Sequence, residues 1–195
     1  RLAVSTEKMN SGQENHFIIS AKIINEISKI IAEDGDAEEV EIYLGKKKAT
    51  FRIDTTEIVL RLMEGEYIKY RDIMPTQSTT DIVIGRAILQ ESIERASLLA
   101  REGKNNLIKM TIKNNLLTIT SRSEEGNVKE EIIMEKEGED LEIGFNSKFV
   151  IDVLKVIDDD EISMHFLTGT SPCMVKPVSG DAYEYLILPV RIPTM

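Results

Sequence analysis

Two stretches decide how this chain is read: S-A-K-I-I-N-E-I-S-K-I-I from Ser20 to Ile31, and N-S-K-F-V-I-D-V-L-K-V-I from Asn146 to Ile157. At a constant offset of 126 residues, Lys22 matches Lys148, Glu26 matches Asp152 and Lys29 matches Lys155, all on a shared apolar frame. A self-similarity of this kind marks a repeated structural unit. In the first copy Ile23, Ile24, Ile27, Ile30 and Ile31 recur at helical spacing, and Ser20 stands where a side-chain oxygen accepts from the first free helix amides. Asn146 holds the same cap position in the second copy. Both helices are short and rich in β-branched residues, so packing rather than intrinsic propensity must hold them.

Working outward, each helix is followed by strands. Val40, Ile42 and Leu44 alternate with Glu41 and Tyr43; Ala49, Phe51 and Ile53 alternate with Lys48, Thr50, Arg52 and Asp54; Gly45 and its lysines mark the turn between them, and Ile58, Leu60 and Leu62 form a third strand. The last copy repeats the plan with Ile162, Met164 and Phe166, a loop at Gly169, Met174 and Val175, a Gly180-Asp181 turn, and a strand from Tyr185 to Val190. Between them lies a more divergent copy: Ile82 and Ile84, a helix from Gly85 to Arg101 with Ile88, Leu89, Ile93, Ala96 and Leu99 on its apolar side, then Ile108, Met110 and Ile112 and Leu117 and Ile119 around an Asn114-Asn115 turn. The expected fold class is α+β, three β-α-β-β-β units with helices on one face of antiparallel sheets. Two such units per domain make one domain and a half, with a boundary near Asp72.

Composition narrows the chemistry. The chain has 195 residues, 42% of them hydrophobic and 30% charged, enough apolar matter for a core. One cysteine, Cys173, and two distant histidines, His16 and His165, exclude a Cys/His metal site and a disulfide scaffold. No apolar run is long enough for a signal peptide or membrane span, and a single thiol suits a reducing, cytoplasmic setting. The first residue is Arg1, not Met, which reads as a piece of something longer. No phosphate-cradling glycine loop occurs, and sequence assigns His165 no Ser or Cys partner for a catalytic triad.

Charge is unevenly placed. With 24 Lys and Arg against 34 Asp and Glu, the net charge of −10 repels nucleic acid overall, so DNA contact requires a local basic surface. Each of the three helices nevertheless carries net +1, Lys22 and Lys29 against Glu26, Lys148 and Lys155 against Asp152, and Arg86, Arg95 and Arg101 against Glu91 and Glu94. The strands and loops therefore carry the whole acidic excess. Lysine on the wet face of a helix is ordinary, but matched register in two copies points to a shared surface that binds phosphates without reading bases. The acidic runs Glu33 to Glu39 and Asp158 to Glu161 lack the alternating oxygen spacing of a calcium loop and read as solvated turns.

These residues also carry a resemblance. R-L-A-V at Arg1 to Val4, Y-R-D-I-M-P at Tyr70 to Pro75, I-G-F-N at Ile143 to Asn146 followed by Phe149 and D-V-L at Asp152 to Leu154, and L-P-V-R-I at Leu188 to Ile192 together resemble the bacterial sliding clamp, the beta subunit of DNA polymerase III. The resemblance implies the DNA clamp fold, with residues 1–71 as the second half of the middle domain and 72–195 as the complete last domain. It implies a non-catalytic processivity factor without cofactor or metal, a homodimeric ring around double-stranded DNA that tethers the polymerase catalytic subunit and the clamp loader. Lys22, Lys29, Arg86, Lys148 and Lys155 would face DNA, and Leu98 and Leu99 would join a second subunit; the native ring is not expected from this chain alone. A partner-peptide pocket would use Arg1, Leu2, Ile73, Asn146, Phe149, Leu188, Pro189, Val190 and Arg191. The chain departs from many members at Ile68, where Pro is usual, at Asp72, where some have Arg, at Phe149, where Tyr is usual, and in the extra Pro193 to Met195. A peptide-binding scaffold that never meets DNA is the alternative, and it has no need of lysines in matched register.

Overall fold

The computed structural model describes residues 2–5, 16–33, 39–100 and 106–192. By its backbone contacts the chain divides into two units, Met9–Lys69 and Tyr70–Met195, the latter joined by Arg1–Lys8.

In the first unit α1 (Ala21–Glu33) precedes a three-stranded antiparallel sheet, β2 (Glu41–Leu44), β3 (Lys48–Ile53) and β4 (Thr56–Arg61), in that order. Ile27 of the helix is buried against Ala49, Phe51 and Leu60, with Ile23, Ile31 and Ile58 packed around them. Ser20 caps the helix as its sequence position requires: its Oγ accepts from the Ile23 amide at 3.4 Å, and its carbonyl accepts from the Ile23 and Ile24 amides at 3.0 and 3.2 Å. The strand β2 corrects one expectation. Ile42 and Leu44 alternate as a half-buried strand should, yet both remain exposed, because the cluster around Ile27 of α1 takes in Ala49 and Phe51 of β3 and Leu60 of β4 but not these two residues of β2.

The second unit is a pair of antiparallel sheets. One has the order β1-β13-β12-β11-β5-β9, and its strands are β1 (Leu2–Ser5), β5 (Thr80–Gly85), β9 (Glu135–Gly138), β11 (Glu161–Phe166), β12 (Cys173–Pro177) and β13 (Tyr183–Ile187). The other has the order β10-β6-β7-β8, from β6 (Leu107–Lys113), β7 (Leu116–Ser123), β8 (Gly126–Ile133) and β10 (Leu141–Asn146). Helix α2 (Arg86–Ala100) packs on β6, β7 and β8, α3 (Ser147–Leu154) packs on β10 and β13, and the helices pack on each other. Strict alternation puts Ile108, Met110, Ile112, Leu117 and Ile119 into one core with Leu89, Ile93, Phe145 and Phe166. Cys173 lies in that core, where burial pushes its thiol pKa up.

Three local differences from the sequence expectation have plain causes. Helix α3 stops at Leu154, with Lys155 as its C-cap and the Val156 amide already bonded three residues back to Val153. The last strand ends at Ile187 rather than Val190, since Pro189 has no amide to extend the ladder. The strand β9, E-K-E-G, carries no hydrophobic alternation at all; it forms because its backbone pairs with β5. Nearby, Lys136 is almost buried (side chain 8% exposed) and pairs with Asp140, whose carboxyl it holds below the usual range. Asp140 also accepts from the amide of Asn114, which turns β6 into β7 at φ +52°.

Candidate functional site

The lysines occupy the exposed sides of two capped helices. On α1, Lys22 and Lys29 are both exposed, and Lys29 Nζ lies 2.9 Å from Glu26. On α3, Asn146 Oδ1 accepts from the Lys148 amide at 3.0 Å, which sets the helix start. Seven residues are two helical turns, so Lys148 and the exposed Lys155 share a stripe about 10 Å long. Lys155 Nζ sits 3.7 Å from Glu94 of α2.

Arg86 is differently employed. It is half-buried at the first position of α2; its Nε donates to the Asp159 carbonyl at 2.9 Å, and its backbone amide donates to the Asp160 carbonyl at 2.8 Å. It thus fastens the acidic turn to α2, a role that its charge and position in the sequence did not signal. Asp159 in turn accepts from Tyr183 at 2.6 Å; burial and this carboxylate both push the phenol pKa up. Arg101 lies outside the described residues. Among the described residues no group of His, Cys, Asp or Glu could hold a metal ion.

The carboxyl-terminal residues form a separate surface. Past β13 the chain lies across β10: the Val190 amide donates to the Gly144 carbonyl at 2.8 Å. A β-carbon at Gly144 would meet the Val190 carbonyl oxygen at 2.6 Å, so glycine permits this close approach. The tail is therefore fastened two residues ahead of Asn146 and five ahead of Phe149. Leu188 is 54% exposed, Phe149 and Arg191 are exposed, and Pro189 and Val190 are half-buried. Ile73 is exposed at the end of the 3-10 turn Tyr70–Asp72, where its amide donates to the Tyr70 carbonyl. A cavity of about 440 Å³ opens beside that turn, lined by Arg71, Met74, Pro75, Met174, Lys176 and Glu184 among others, with Lys176 and Glu184 paired at 2.6 Å. Leu2 belongs to β1, opposite Leu186 in register, and Arg1 lies outside the described residues.

Leu98 is 63% exposed near the end of α2, and Leu99 is half-buried. One turn earlier Arg95 grips Glu130 of β8 at 2.7 Å and holds that carboxyl below its usual range. Strand β8 is an edge of its sheet, and its Ile133 is 85% exposed.

His165, without a partner in sequence, has two in space. Its Nδ1 lies 2.7 Å from Asp81 on β5 and its Nε2 lies 3.1 Å from Ser163. Strand register alone brings them together, since His165 faces Asp81 across the ladder and Ser163 shares its side of β11. Ser163 is buried, and its hydroxyl also lies 3.2 Å from the carbonyls of Lys176 and Pro177. With the strands β5, β11 and β12 laddered together, the trio acts as a cross-strand pin.

Residues 71–191 match the family model for the DNA polymerase III beta subunit, C-terminal domain, and residues 1–69 match the model for its central domain. Curated relatives include the beta sliding clamps of Staphylococcus epidermidis, 38% identical over 98% of this chain and 51% of theirs, and of Staphylococcus aureus, 36% identical over the same shares. Among solved structures, the DNA polymerase III beta subunit of Thermotoga maritima is 31% identical with a TM-score of 0.90, covering 98% of this chain and 52% of that one. The DNA polymerase sliding clamp of Bacillus subtilis is 32% identical with a TM-score of 0.91, covering 98% and 51%. The chain thus spans about half the length of the relatives it matches.

Proposed function

Because this chain belongs to the DNA polymerase III beta-subunit family, the sliding clamps, we propose that it is part of a non-catalytic processivity factor that holds duplex DNA without reading its sequence. The observation that carries this is the repeat: Lys22 and Lys29 on α1, and Lys148 on α3 with Lys155 at its C-cap, are exposed at equivalent positions in a chain whose net charge is −10. Long, exposed side chains on helix surfaces reach phosphates but not base edges, which suits a protein that must move along DNA. Such contacts are individually weak and are screened by salt. Arg86 contributes to this surface chiefly by fixing the start of α2, since its guanidinium is engaged with Asp159. A second subunit would meet Leu98 and Leu99 beside the open edge of β8, closing a homodimeric ring in the full-length protein.

The test is charge reversal. Lys148→Glu with Lys155→Glu is expected to weaken binding to a short duplex about tenfold at ~0.15 M salt and to flatten the salt dependence by about two phosphate contacts. Unchanged affinity in a folded variant would remove these helices from the DNA surface.

The tail supplies the tether. Peptide segments of the polymerase catalytic subunit and of the clamp loader, the partners implied by the family, would dock on Leu188, Val190, Phe149 and Ile73, with Asn146 and Arg191 at the polar rim and Pro189, Arg1 and Leu2 completing the wall. Exposed apolar anchors beside a fastened backbone suit a short peptide with aliphatic and aromatic side chains. Leu188→Ala with Val190→Ala is expected to cost about 2 kcal/mol in binding such a peptide, measured by calorimetric titration. Equal affinity in the folded double variant would place the peptide elsewhere.

A further inference from the structure

Helices α2 and α3 are joined along an ordered polar seam. Arg86 Nη1 donates to Gln90 Oε1 at 3.4 Å, Gln90 Nε2 donates to Glu94 Oε1 at 3.1 Å, and the same Glu94 oxygen lies 3.7 Å from Lys155 Nζ. The three α2 residues recur every four positions and so lie along one stripe of the helix. At its far end the chain is anchored by the Arg86 bond to the Asp159 carbonyl. That anchor orients the Gln90 amide, whose oxygen faces Arg86 and whose nitrogen faces Glu94. The Glu94 carboxylate is therefore held in place from behind while its front meets a lysine. The side chains of Lys155 and Glu94 are 57% and 43% exposed, so an anion in solvent can reach both.

We propose that Glu94 is an internal competitor for DNA phosphate at Lys155, a built-in limit on how tightly this helix pair holds duplex DNA. The inference rests on the DNA-binding reading above and adds a residue of the opposite sign to it. An exposed ion pair at this distance is weak, so a phosphate can displace the carboxylate from the ammonium. Gln90 keeps the carboxylate close by after displacement, and its charge opposes the phosphate that has taken its place. The contact forms but stays shallow. A clamp that must travel along DNA gains from shallow contacts, because each phosphate has to be released before the next is taken up.

Glu94→Gln removes the charge and leaves an oxygen to accept from Gln90. Affinity of the 195-residue chain for a fluorescent duplex of about 20 base pairs would be measured by anisotropy across a salt series. The variant is expected to bind about three- to tenfold more tightly at ~0.1 M salt, with a steeper salt dependence. The gain is expected to vanish when Lys155→Gln is added. Glu91→Gln is the control: it makes the same change of formal charge on the same helix, but beside Arg95 at 3.9 Å, and is expected to shift affinity less than twofold. A gain that survives Lys155→Gln, or one matched by Glu91→Gln, would reflect net charge alone and overturn the proposal. If the Lys148/Lys155 reversal weakens binding while Glu94→Gln changes nothing, the proposal fails and the DNA reading stands. If neither changes binding, both fail.

Discussion

Replacing Phe145 with alanine is expected to destabilise the 70–195 unit by about 4 kcal/mol, the range for deleting a fully buried aromatic ring. Phe145 is 0% exposed on β10, opposite Ile108 in register and within the main core. Its neighbours make the substitution informative about function as well as stability. Gly144 accepts the backbone of the tail, and Asn146 caps α3, so β10 carries both the proposed peptide surface and the start of a basic helix. Urea denaturation would measure the loss, and Phe145→Leu, which retains most of the apolar volume, should cost less than about 1.5 kcal/mol. A loss below about 1 kcal/mol for the alanine variant would mean that the core refills the space and that β10 is not the platform described.

Gly138→Ala is expected to cost about 3 kcal/mol or more through two separate effects, backbone strain and overlap. Gly138 has φ +88°, which side chains oppose, and an added β-carbon would lie 2.0 Å from the Thr79 carbonyl oxygen. That oxygen cannot withdraw, because it accepts from the Glu139 amide at 3.0 Å while the buried Thr80 hydroxyl donates to the Glu139 carbonyl at the same distance. The substitution must therefore break β9 away from the edge of β5. Gly126→Ala separates the two effects: φ is +152° there but nothing lies within 4 Å of the added atom, so only strain of about 1 kcal/mol is expected. Thermal unfolding would rank the variants, and amide exchange should quicken in β9 and β5 for Gly138→Ala alone. Equal effects at the two glycines would show that the contact with Thr79 does not constrain this edge.

The repeat unit, the helix caps and the core alternation are legible in the sequence by itself, because each depends on residues close along the chain. Ser20 and Asn146 announce helix starts by side-chain chemistry, and Ile108, Met110, Ile112, Leu117 and Ile119 announce strands by their period of two. The register of Lys22 with Lys148 and of Lys29 with Lys155 was likewise plain, since a repeat preserves spacing whatever the tertiary arrangement. Tertiary structure decided what depends on distant partners. Strand β9 has no hydrophobic signal and exists through pairing with β5; Ile42 and Leu44 have the signal but stay exposed on an edge. Charge in the sequence could not distinguish Lys148, exposed at its helix start, from Arg86, drawn onto a carbonyl 73 residues away, or from Lys155, answered by Glu94. Likewise Asp81 and His165 stand 84 residues apart and meet only because β5 and β11 are neighbours in one sheet. Local chemistry specifies what an element is, whereas the partner of an exposed charge or an edge strand is set by which elements the fold lays side by side.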